Sequence, residues 1–72
     1  PEIENVFPSL NSGTTVTLTN TPTNLPFVFR NGRYQREGGD YTRVGTVLTF
    51  GTAFGISGGA SGAEEVVVRY NY

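Results

Sequence analysis

The side chains that could do chemistry in this sequence are few. Hydroxyl nucleophiles stand at Ser9, Ser12, Ser57 and Ser61, but the chain contains no His and no Lys to serve as their base. Without such a neighbour a serine hydroxyl stays a weak nucleophile at its ordinary pKa. Cys is absent too, which removes thiol chemistry and any disulfide framework together. Glu37, Asp40, Glu64 and Glu65 could in principle supply a carboxylate pair for glycoside hydrolysis. Such a pair must flank a substrate cleft, and a chain this short seldom walls one on both sides. Glu37 and Asp40 bracket Gly38-Gly39, a turn in which an aspartate ordinarily accepts from backbone N–H groups. The same oxygens could ligate calcium, but their spacing matches neither an EF-hand nor an RTX repeat. Residues 51–62 are glycine-rich like a phosphate cradle, yet no Lys-Ser/Thr ending follows and the next element reads as a strand. Tyr34, Tyr41, Tyr70 and Tyr72 could stack on sugars or bases, but there is no Trp and no basic stripe beside them. These patterns predict no catalytic residue, no metal ligand set and no cofactor site: a chain that is not an enzyme.

The elements that would position any contact residues are those of one small domain of 72 residues. A chain of this size buries only roughly 60% of its unfolded surface, so its core is marginal. Disulfides and histidine metal sites are excluded by composition, which leaves association with other subunits as the expected supplement. The formal net charge of −1 argues against a nucleic-acid footprint. All five basic residues are Arg, the residue suited to fixed bidentate contacts at protein interfaces. No apolar run approaches the ~20 residues a membrane helix needs, and no stretch reads as a signal peptide. Pro1 fits a chain whose initiator Met has been removed and fits an excised fragment equally well.

The pattern along the chain is strand after strand, predicting an all-β fold: a small antiparallel β-sandwich or open barrel of six to seven short strands. Residues 1–13 read as an arm broken by Pro8 and Asn11-Ser12-Gly13, with Ile3, Val6 and Phe7 able to dock on a partner or cover a sheet edge. Residues 14–72 form the β module. Val16 and Leu18 alternate with threonines, and residues 20–26 are a proline-broken loop. Asn31-Gly32 marks a hairpin through a type I′ turn, with Phe27, Phe29 and Tyr34 expected to face inward. Strands at 41–44 and 46–50 pair around Gly45, with Leu48 and Phe50 on one face. Residues 51–63 read as a flexible contact loop carrying Phe54 and Ile56. The closing strand alternates Val66, Val68 and Tyr70 against Val67, Arg69 and Asn71, and Val67 predicts that its second face is covered as well. The expected partner-contact residues are therefore Ile3, Val6, Phe7, Phe54, Ile56 and Val67.

An ordered series runs through the hairpin and beyond: Asn31-Gly32-Arg33-Tyr34-Gln35, Gly39-Asp40-Tyr41-Thr42, Gly45-Thr46-Val47-Leu48-Thr49-Phe50, then Val66-Val67-Val68-Arg69-Tyr70. This order resembles a compact β module of tailed-bacteriophage virion proteins, over roughly the C-terminal forty residues. Ala53-Phe54 stands where that pattern usually turns through Ala-Pro, and Glu64-Glu65 replaces the usual Gly-Asp. The resemblance implies a virion location and a structural role. It is similar to capsid decoration (cement) proteins, which bind the major capsid protein or another virion protein, with a homotrimer favoured. A tail-fibre or baseplate module, or a carbohydrate-binding module for a host surface, is the alternative. On this reading the arm and the loop reach onto the shell, and removal of residues 1–8 weakens particle binding while sparing the fold.

Overall fold

The alternating segments become seven strands in the computed structural model, which describes residues 1–55 and 64–72. They are β1 (Glu2–Leu10), β2 (Thr15–Thr17), β3 (Phe27–Arg30), β4 (Arg33–Gln35), β5 (Tyr41–Val44), β6 (Val47–Phe50) and β7 (Glu64–Asn71). No helix occurs among the described residues. Every pairing between these strands is antiparallel, in a four-stranded sheet ordered β1-β7-β3-β4 and a three-stranded sheet ordered β2-β6-β5. The fold is thus all-β, two sheets enclosing one core.

Side-chain parity decides what enters that core. Val16, Leu48, Phe50 and Tyr41 come from the smaller sheet, and Val28, Val66, Val68 and Tyr70 from the larger. Leu18 and Phe54 fill the space between, while Ile3, Phe7 and Leu10 of β1 pack on the rim. The Asn31-Gly32 turn has φ of +52° and +82°, the two left-handed positions that a type I′ hairpin requires. The 36–40 turn closes on its own aspartate: the Arg36 N–H donates to Asp40 Oδ2 at 2.8 Å.

Three expectations need correction. Residues 2–10 take the edge-covering alternative and not the free arm: they form β1, paired with β7 from Glu2↔Asn71 to Leu10↔Glu64 through a register shift between Phe7 and Leu10. The shift spans Pro8, which has no N–H to give to a ladder, and lets the strand continue past it. Deleting residues 1–8 would therefore dismantle part of the larger sheet, not spare the fold. Phe27, Phe29 and Tyr34 point outward, because Val28 and Arg30 take the core side of β3. Three consecutive apolar residues at 27–29 leave the phase of the strand open, and the buried partner of Arg30 sets it. Finally, Phe54 is not displayed on a contact loop. It is fully buried, its N–H donates to Gly13 O at 2.8 Å, and its ring meets Phe50 edge-on at 5.3 Å.

Candidate functional site

The charged chemistry of the interior gathers at one place. Arg30 on β3 donates from Nε to Glu64 Oε1 at 2.7 Å and from Nη2 to Glu64 Oε2 at 3.2 Å. Its remaining N–H groups reach Thr52 Oγ1 at 2.9 Å, Thr52 O at 3.1 Å and Ala53 O at 3.2 Å. The guanidinium lies 4.7 Å from the Phe54 ring centre and 5.5 Å from that of Phe50. Glu64 also accepts from Asn31 Nδ2 at 3.0 Å and from the Gly55 N–H at 2.6 Å. The Arg30 hydrogen bonds, followed by the Gly55 amide, hold this carboxyl at a pKa of about 2 against the opposing effect of burial. A carboxylate so saturated keeps no proton to donate near neutral pH. The pair instead ties the hairpin, the 52–55 segment and the start of β7 into one unit.

Two shallow concavities open beside these elements. One, of about 330 Å³, is lined by Arg30, Asn31, Arg33, Gln35, Asp40, Thr52 and Glu64, and the Arg30–Glu64 pair fills its floor. The other, of about 240 Å³, lies over Gly38–Asp40 and Thr49–Gly51. Tyr41 borders it, and burial pushes that phenol up to about 12. Its hydroxyl has no hydrogen-bond partner among the described residues. Among these residues no three carboxylates converge to hold a metal ion. Glu37, Asp40 and Glu64 take part in a turn bridge, a turn closure and an ion pair respectively.

The outer face of the four-stranded sheet is different. Cross-strand register aligns Val6, Val67, Phe29 and Tyr34 in one row over β1, β7, β3 and β4. Val6 is 48% exposed, Phe29 37% and Tyr34 48%, while Phe27, one pleat away on the same face, is 53% exposed. Phe29 and Tyr34 meet edge-to-face at 5.8 Å. The next row sets Glu4 beside Arg69, 3.8 Å apart and both well exposed. The outward side of the smaller sheet shows no such band: its registers align Thr15, Thr49 and Thr42, then Thr17, Val47 and Val44. Only the larger sheet presents aromatic surface to solvent, and apolar area of this kind gains roughly 25 cal/mol per Å² when covered.

The expected contact residues divide accordingly. Val6 and Val67 lie in the exposed row. Ile3 and Phe7 alternate to the other side of β1 and pack half-buried against the core. Phe54 is inside, and Ile56 lies outside the described residues. Sequence reasoning missed Phe27, Phe29 and Tyr34 as surface residues. Arg30, a charge in phase with Val28, was the available signal: a charged residue taken inside predicts an acidic partner elsewhere, and Glu64 opening the last strand is that partner. In comparison with known proteins, no family model, no curated protein and no solved structure matches this chain.

Proposed function

We propose that this chain is a non-enzymatic structural protein of a bacteriophage virion, a capsid decoration protein that binds the shell as an oligomer. The observation that carries the reading is the exposed row Val6–Val67–Phe29–Tyr34, an apolar and aromatic band running across all four strands of the larger sheet. Such a band, rimmed by Glu4, Arg69 and Glu65, has the anatomy of a protein interface: an apolar centre and a charged margin. The virion assignment rests on the ordered series from Asn31 to Tyr70 and its resemblance to phage assembly modules. We place the contact surface on the sheet face, which includes Val6 and Val67, since Ile3, Phe7 and Phe54 pack into the fold itself.

The test is co-sedimentation of purified protein with shells of the phage whose genome encodes it. Val67→Arg places a charge at the centre of the band without entering the core, so thermal stability should hold while shell binding is lost. Binding that survives this substitution would refute the docking face. Location by labelled antibody separates the head reading from the tail-fibre or baseplate alternative. Exposed Phe27, Phe29 and Tyr34 also favour a second reading, stacking on a host glycan. That reading requires a hit on a glycan array that Tyr34→Ala removes.

A further inference from the structure

We infer that the outer face of the four-stranded sheet pairs with the same face of a second copy of this chain, across a two-fold axis. The inference rests on the interface anatomy proposed for this face, and makes a second copy its occupant in the free protein, in competition with the shell. Along the outer side of β7, Glu65, Val67 and Arg69 follow at alternate positions, an acid and a base placed symmetrically about an apolar centre. Glu65 and Arg69 are both exposed. An axis in the plane of the face, crossing the strands over Val67, lays each member of the Val6–Val67–Phe29–Tyr34 row on its own copy. The same operation sets Arg69 over Glu65 of the second copy, and Glu65 over Arg69 of the second copy. A self-complementary patch of this kind is what an isologous contact demands.

The dimensions permit it. Arg69 and Glu65 each stand about 6.6 Å from Val67 along the strand, and stacked sheets sit about 10 Å apart, within reach of these two side chains. Sheet twist rotates aligned sheets by about 30°, a small sideways offset so close to the axis. The contact of Arg69 with Glu4 is long, at 3.8 Å, and exposed, which leaves guanidinium N–H groups free to cross the interface. At about 4.8 Å strand spacing and about 3.3 Å per residue, the lengths of β1, β7, β3 and β4 give a face on the order of 400 Å². Standard interfaces bury about 800 Å² per partner, so this pairing belongs to the weak class that forms at micromolar concentration or above.

Sedimentation velocity of the full chain from about 5 μM to about 1 mM is the decisive measurement. The weight-average mass should rise from 7.8 kDa towards twice that value. Arg69→Glu and Glu65→Arg should each weaken association at least tenfold with unchanged circular dichroism. The double variant Glu65→Arg/Arg69→Glu should restore it, which a role confined to folding would not do. A chain that stays monomeric throughout, a trimer, or a double variant no stronger than the singles would overturn the inference. Shell binding by Arg69→Glu separates the two proposals. If the single variant still decorates shells while the wild type proves monomeric, the docking role stands and the two-fold pairing falls.

Discussion

Replacing Glu64 with Gln tests whether the Arg30–Glu64 pair is the electrostatic anchor of the fold. The carboxyl has a pKa of about 2 in place of 4.5, a difference worth about 3 kcal/mol at 1.36 kcal/mol per unit. The site borders an open cleft, and solvent there trims the pH-dependent part to about 2 kcal/mol. Glu64→Gln keeps the size of the side chain but leaves a largely enclosed Arg30 without a counter-charge, so the total cost at pH 7 should be about 3 kcal/mol. In a domain of this length that lowers Tm by about 15 °C. Because the folded pKa is depressed, the stabilisation is fully present above pH 4.5 and fades as pH falls towards 2. Urea unfolding of both proteins from pH 7 to pH 2, followed by circular dichroism, reads the gap directly, and the other carboxylates cancel in the difference. The gap should shrink to about 1–1.5 kcal/mol at pH 2, where the carboxyl is half protonated and the acid form is a near-isostere of the amide. If the variant is unfolded at pH 7, trimethylamine N-oxide brings both proteins into range. A gap independent of pH, or one below about 1 kcal/mol at pH 7, would refute the reasoning.

Removal of residues 1–8 should abolish cooperative unfolding in circular dichroism melts, because β7 loses its ladder partner and the Ile3 and Phe7 contacts; a truncated chain that melts like the intact one would make β1 dispensable. Phe54→Ala empties a fully buried ring site and should cost about 3–5 kcal/mol in urea unfolding, with little change for the exposed Val44→Ala as a control. Tyr70→Phe removes the hydroxyl that donates to Asn5 Oδ1 at 2.6 Å and accepts from the Asn20 N–H at 3.2 Å; it should cost about 1–2 kcal/mol by the same assay. Tyr41→Phe should cost nothing or stabilise slightly, since the hydroxyl it removes is buried without a partner among the described residues.

Much of the framework was legible because strand parity and turn chemistry are local. Asn31-Gly32, the alternation of β7, and the Val16–Leu18 and Leu48–Phe50 pairs each carry their structure within a few residues. What could not be read locally was set by partners distant in sequence. The strand 27–30 has apolar residues at both parities, and its phase is fixed by Glu64, 34 positions from Arg30. Residues 2–10 alternate too weakly to announce a strand beside Pro8; the edge of β7 supplies the hydrogen bonds that make them one. Phe54, set among glycines, is drawn inside by the Arg30 guanidinium and the Phe50 ring. The exposed band was hidden for the same reason: reversing the phase of β3 exchanges core and surface at once.

The position of β7 between β1 and β3 governs the order in which the molecule can be made. Its eight residues are the last strand of the sequence, yet they bridge the first strand to the central hairpin. A nascent chain emerging from the ribosome can form the β3–β4 and β5–β6 hairpins, but the larger sheet cannot assemble until residue 71 is free of the exit tunnel. The larger sheet therefore closes after the two hairpins, and its rate is limited by closure of the long loop between β1 and β7. Pairings of that separation place a domain in the millisecond-to-second regime, not the microsecond one. During that interval both long edges of the unfinished sheet stand open, so slow synthesis or crowded expression would expose this chain to aggregation before it can reach a partner.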